Sequence, residues 1–406
     1  MARMKYHYKA TQHKANFISV VCFLLFVTYS ILLYIKHQYG VVAMTYFVES
    51  ELLTSDFSPS ATWISALLGT LLCVIPAIVL TCTLHFPLRM KALAFLPSYI
   101  ILGFLTGISP ASVSSSANEV HLVVPLLMLL GSIILIIFSQ VYHEDRGEHA
   151  PTFNYLSVNV LISCIGMLSC IALTNTDCEL HVQLAMSDAL QRNDSQQLER
   201  LAYGETTTNR NITSIQIMDL SRREQLAERL FSIHGLSGSQ SMLPDTMPAT
   251  QVFHTSSLVY GYLGSDSIAC PTDVVSFLED LLIKKVSFHA DTVSMTDTLS
   301  IRVLADYYLC ALLLDRELGQ FSSSLPLYYD GEHALPHHFR EAMAIVRSFA
   351  DALPDVHVSD SVMDSRYADY MMLRQSCQDN PALLRKECSR QYPNSYWNYY
   401  YLRTNQ

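Results

Sequence analysis

The sequence predicts an all-α protein: a five-helix transmembrane bundle followed by a soluble α-helical-repeat domain. Three observations predict it. Five apolar segments of membrane-spanning length lie between Phe17 and Leu173, and none contains an acid, a lysine or an arginine. From Thr174 onward the chain becomes a series of short helical segments separated by short breaks. Charged residues make up only 15% of the whole, against about 25% in a typical soluble protein, and the deficit is confined to the first part.

Residues 1–15 form a basic N-terminus, with Arg3, Lys5, Lys9 and Lys14 and no acid. Residues 16–173 form the transmembrane domain, with spans at about 17–35, 61–83, 92–108, 120–142 and 156–173. Each approaches the ~20 residues that cross ~30 Å of hydrocarbon. The first run exceeds a signal-peptide core and no small-x-small cleavage site follows it, so it reads as an uncleaved span. The third run is short and the fifth contains Asn159. Pro76, Pro97 and Pro125 read as kinks, which membrane helices accept when a neighbour satisfies the released carbonyl. The lack of ionisable side chains in the spans argues against an ion pathway or proton relay.

Lysine and arginine in the short loops set the orientation. The N-terminus, Arg89 with Lys91, and Arg146 share one side, opposed only by Lys36, seven against one. The N-terminus is therefore expected in the cytoplasm. Five crossings place residues 174–406 outside, which is the periplasm if the chain belongs to the inner membrane of a Gram-negative bacterium.

In the tail, Leu180 to Leu190 forms a helix up to a break at Asn193-Asp194, and Leu198, Leu201 and Ala202 resume it. Ile212 to Leu220 precedes a helix expected over Arg222 to Ile233, before a Gly/Ser-rich break at 235–240. Val252 to Leu263 pairs with Thr272 to Ile283. Ile301 to Leu314 is apolar nearly all round, which marks a core helix. Pro336 is expected at the first position of a helix ending near Leu353-Pro354. Tyr367 to Ser376 and Pro381 to Tyr392 complete the series. Helix pairs of roughly 30 to 40 residues suggest a tetratricopeptide-like solenoid, although that repeat's tryptophan–glycine–tyrosine pattern is missing. The crowded aromatics of Tyr392 to Tyr401 read as the packed cap of the last helices, with an interfacial belt as the alternative.

Four stretches carry a family likeness: Ala92-Leu93-Ala94-Phe95-Leu96-Pro97; Gln225-Leu226-Ala227-Glu228-Arg229-Leu230-Phe231 with Met242-Leu243-Pro244; Leu335-Pro336-His337-His338-Phe339-Arg340-Glu341-Ala342; and Asn394-Ser395-Tyr396-Trp397-Asn398-Tyr399-Tyr400. With them the chain resembles an uncharacterised family of multi-span integral membrane proteins from Bacteroidota with a tetratricopeptide-like helical tail. The resemblance implies an architecture and a lineage. It implies no active site.

The net charge of −10 argues against nucleic acid, because no basic face is present to release counterions. The ten cysteines include no CxxC pair, so no structural metal and no cofactor are expected. Cys377 and Cys388 are close enough for a small disulfide loop in an oxidising compartment. Glu332, His333, His337 and His338 crowd together, but His333 and His337 straddle Pro336 and do not form the HExxH face of a zinc peptidase. They read as an exposed helix start. Asp-Ser/Thr-aliphatic triplets place candidate O-glycosylation sites at Thr246, Ser267, Thr292, Thr298 and Ser361. Glu49, Glu51 and Asp56 in the first outside loop are the candidate acids of an alternative reading, a membrane-embedded glycosyl or lipid-group transferase. No GxSxG, P-loop or dinucleotide fingerprint is present. The leading expectation is a non-enzymatic scaffold that contacts the lipid bilayer and holds another envelope protein with its tail.

Overall fold

A computed structural model describes residues 2–36, 59–107, 118–141, 152–174, 178–203, 209–245, 255–265, 270–288, 295–329, 335–349 and 360–402. Among these residues every regular element is helical. The chain divides into two units, Met1–Leu184 with Pro248–Phe253, and Ala185–Met247 with His254–Gln406.

The first unit contains α1 (Ala2–Lys36), α2 (Pro59–Thr83), a 3₁₀ segment (Leu88–Phe95) that leads into α3 (Leu96–Thr106), α4 (Asn118–Val141) and α5 (Thr152–Leu173). Among the described residues four segments are long and apolar enough to cross a membrane: Gln12–Leu33, Leu88–Thr106, Val123–Val141 and Thr152–Leu173. The second expected span is the 25-residue helix α2. Its side chains are described only from Thr70, and Thr70–Thr83 is apolar but short.

The side chains of this unit are distributed as a hydrocarbon solvent demands. Leu24, Leu126, Phe138 and Leu168 are more than half exposed, whereas Ser30, Ser98, Asn159 and Ser163 are buried. Lipid is as apolar as leucine, so helices associate instead through close backbone approach and internal hydrogen bonds. Both appear here. A Cβ at Gly107 would lie 2.1 Å from the Leu173 carbonyl oxygen, and one at Gly103 2.8 Å from that of Cys170. A Cβ at Gly166 would lie 2.5 Å from Cδ2 of Tyr99. These glycines let α3 and α5 touch along their backbones. Tyr99 then packs edge-on against Phe26 and Tyr29, with ring centroids 4.9 and 5.6 Å away.

The expected third span is not one kinked helix. Its first part is 3₁₀, and Pro97 stands in the first turn of α3, where an amide hydrogen is not needed. Asn159, from α5, makes the break tolerable. Its Oδ1 accepts from the Ala92 amide at 2.7 Å, and its Nδ2 donates to the carbonyls of Leu88 at 2.8 Å and Tyr155 at 2.7 Å. A side chain that weakens the fifth span by hydropathy thus satisfies the irregular backbone of the third.

The division falls within the helix α6 (Cys178–Gln191), and the second unit continues with α7 (Ser195–Tyr203), α8 (Arg210–Arg222), α9 (Leu226–Arg229), α10 (Thr255–Leu263), α11 (Val274–Phe288), α12 (Met295–Asp315), α13 (Leu318–Tyr328), α14 (His337–Ser348), α15 (Ser361–Ser376), α16 (Pro381–Gln391) and α17 (Tyr396–Leu402), with 3₁₀ turns at Leu230–Ser232 and Ser239–Met242. The core helix is α12. Leu309, Cys310, Ala311, Leu312 and Leu313 are wholly buried, so the helix is covered on every side from Tyr307 to Leu314. From α11 onward each helix packs on the next, and α17 returns to lie on α14.

Three differences from the sequence reading have local causes. The helix expected over Arg222 to Ile233 is interrupted by a left-handed residue, Glu224, with φ 55°. The Gln225 amide reaches back to the Leu220 carbonyl at 2.8 Å, which is a Schellman closure. Arg316, with φ 64°, closes α12 in the same way through the Glu317 amide and the Leu312 carbonyl. This releases α13, a helix whose internal Pro326 disguises it in the sequence. Pro336 is extended and caps α14 from outside, and that helix ends at Ser348.

Candidate functional site

The sequence Pro336-His337-His338-Phe339-Arg340-Glu341 starts α14. Residues three and four apart on a helix are neighbours, so both histidines meet Glu341. His338 Nδ1 lies 2.9 Å from Oε2 of Glu341, and His337 Nε2 lies 3.4 Å from Oε1. Glu341 is 2% exposed, and a bare carboxylate there would be costly. The start of α17 supplies the remaining donors. The Ser395 hydroxyl donates to Oε1 at 2.7 Å and the Tyr396 amide to Oε2 at 2.8 Å. The Trp397 indole N–H donates to the Glu341 backbone carbonyl at 2.9 Å, and Ser395 Oγ accepts from the Trp397 amide at 3.1 Å.

Burial alone would raise the Glu341 carboxyl. The hydrogen bonds from His337 and His338, the charge of His338 and the Ser395 hydroxyl outweigh it and hold the group at about 2. His337 is shifted upward by its bond to Glu341. Around this hub, Tyr396 and Trp397 are fully buried, and the Tyr370 hydroxyl donates to the Trp397 carbonyl at 3.2 Å. The aromatic ending is therefore a packed cap pinned by one buried acid.

Beside the hub lies a cleft of about 1150 Å³, lined by residues 231–238, the turn 314–317, Arg385, Ser389, residues 393–395, Asn398, Tyr399 and Leu402. Hub and cleft share residues. Ser395 lines the cleft and bonds Glu341. Phe231 lines it and stands perpendicular to the His338 ring at 4.8 Å. The walls are tied to each other. The Tyr399 hydroxyl donates to the Leu314 carbonyl at 2.8 Å and accepts from the Gly238 amide at 3.2 Å. Asp315 Oδ1 accepts from the Ser239 amide at 2.7 Å. Gly238 has φ 75°, and a Cβ there would press on that carboxylate at 3.1 Å. Arg316 donates to the Tyr399 carbonyl at 3.2 Å and lies over its ring. The Ser395 hydroxyl is spent on Glu341, so it is not poised as a nucleophile. The arrangement is a braced polar recess suited to holding a ligand.

The other residues singled out in the sequence are dispersed. Glu49, Glu51 and Asp56 lie outside the described residues, as do Glu332, His333, Thr246, Ser267 and Thr292. Thr298 falls within α12, but its side chain is outside the described set. Ser361 opens α15 and is exposed, directly after Asp360, which caps the Met363 amide and pairs with Arg340. Cys377 and Cys388 are free thiols, the first half-buried and the second buried. Burial pushes the Cys388 thiol up.

Sequence reasoning grouped His337 and His338 with the acid before them, Glu332, and passed over Glu341. The available signal was the spacing His-His-x-x-Glu on one helix face. Nothing local in the sequence marks Ser395 as its partner, 54 positions away.

The model of a family of unknown function, DUF6057, matches residues 297–403. No curated protein and no solved structure matches the chain. The matched stretch runs from α12 to α17 and includes every residue of the Glu341 hub, so the chain is similar to that family in the part that builds the hub and one wall of the cleft.

Proposed function

We propose that the protein is a multi-pass protein of a bacterial inner membrane whose helical tail is periplasmic and holds another envelope protein in the cleft beside the Glu341 hub. The observation that carries this reading is the cleft itself, about 1150 Å³ in volume, with walls braced by Tyr399, Asp315 and Arg316. A rigid, preformed recess binds without first paying the entropy of ordering its walls. The four apolar helices support the membrane assignment. The order of packing, each helix on the next from α11 onward, supports a tetratricopeptide-like repeat, whose surfaces commonly receive partner segments.

Two experiments test it. Alkaline phosphatase and fluorescent protein are fused after Gln406 in parallel. Phosphatase activity without fluorescence is expected, and the reverse would remove the periplasmic tail. A photo-crosslinking residue is then placed at Ser389 in the cleft or at Val362, which is exposed on α15. A discrete adduct is expected from position 389 alone. Equal labelling from both positions would sink the cleft as the binding surface.

A further inference from the structure

We propose that His337, His338 and Glu341 form a binding site for a divalent transition metal ion of the zinc class. One ligand atom from each residue lies within 4.8 Å of the others. The His337 Nε2 to Glu341 Oε1 separation of 3.4 Å is long for a hydrogen bond, which peaks near 2.9 Å. It matches the spacing of two ligands on a tetrahedral ion with bonds of about 2.0–2.1 Å. Two imidazoles with one carboxylate favour zinc over magnesium or calcium, which prefer all-oxygen sites.

The surroundings fit a liganding carboxylate. Ser395 and the Tyr396 amide already donate to Glu341, as outer hydrogen bonds do to metal-bound acids. A metal would replace only the two imidazole contacts and leave those donors in place. His338 is 3% exposed, and its Nδ1 already faces the Glu341 carboxylate at 2.9 Å, so an ion between them would take over a short, buried contact. His337 is half-buried, with its side chain 36% exposed. It gives an ion a way in from solvent and leaves room for a water as the fourth ligand. Glu228 adds negative charge nearby, and Arg366 opposes it. The site lies on α14 and does not depend on whether the cleft takes a partner.

The test titrates the full-length protein in detergent with Co²⁺ and then displaces it with Zn²⁺. One Co²⁺ per chain is expected, with weak visible bands and no intense thiolate absorption, which separates this site from the ten cysteines. His337→Gln should weaken Zn²⁺ binding about tenfold or more while leaving the far-ultraviolet circular dichroism unchanged, because His337 sits at the solvent-exposed rim of the hub, with its side chain 36% exposed. His337→Cys should add a sulfur-to-cobalt charge-transfer band. Absence of Co²⁺ binding, thiolate bands in the parent protein, unchanged Zn²⁺ affinity in His337→Gln, or no new band in His337→Cys would each overturn the proposal.

Discussion

Replacing Glu341 with glutamine keeps the side-chain shape and removes the charge. At least one carboxylate oxygen then becomes an amide NH₂ that faces a donor, either Ser395 with His337 or Tyr396 with His338. Hydrogen bonds to a charged group contribute about 1.5–3 kcal/mol each. Two are lost, and their donors are left buried, so the expected cost is about 3–5 kcal/mol, the range for breaking a buried pair by removing one partner. Trp397 reports the event. It is one of two tryptophans in the chain, is fully buried, and binds the backbone of Glu341 itself. In urea its emission should shift to the red at a midpoint roughly 1–2 M below that of the parent protein. The difference should also depend on pH. The folded-state value of about 2 lies below the ordinary 4.5. The stabilisation is therefore complete above pH 4.5 and is lost as pH falls toward 2, so the gap between parent and variant should close over that window. A gap smaller than ~0.3 M at pH 7, or one that does not change down to pH 2, would refute the hub as the anchor of the C-terminal cap.

Asp306 has the opposite sign. Burial, only partly offset by the Tyr329 hydroxyl and Arg302, pushes its carboxyl up to about 6. Its contribution is favourable below pH 4 and is lost as pH rises through 6, so Asp306→Asn should raise the urea midpoint at pH 8 and leave it unchanged at pH 4. Gly107→Ala places a methyl group against the Leu173 carbonyl, a backbone atom with little freedom to yield. An overpacking cost of about 1–3 kcal/mol should appear as a lower aggregation temperature in detergent, whereas Gly131→Ala, with nothing within 4 Å, should not change it. In native protein, maleimide should label the half-buried Cys377 and spare the buried Cys388, with both labelled after unfolding. Resistance of both until a reductant is added would instead reveal a disulfide between them.

Much of the architecture is written in local pattern. Uncharged apolar runs of spanning length and the all-round apolar helix at Ile301 to Leu314 declare themselves through composition and period. The glycine pair at Gly103 and Gly107 and the His-His-x-x-Glu spacing of α14 are local signals too, and both are legible once a partner surface is known. Other features have no local signal. Glu224 and Arg316 end helices in a left-handed conformation that most often belongs to glycine. Their αL strain is accepted because the Schellman bonds and the packing of the following turn determine it.

The sequence by itself determined that this chain is helical, that its first part suits hydrocarbon and that its last part suits water, because these properties depend on side-chain polarity summed over one helix at a time. Only the tertiary structure decided what Asn159 and Glu341 do. Each is a polar group in an apolar setting, and its free energy there depends on which donors and acceptors surround it. For Asn159 two of those partners lie 67 and 71 positions away, and for Glu341 two lie 54 and 55 positions away. Sequence spacing cannot reveal pairings at such distances, because they exist only after the helices between them have packed.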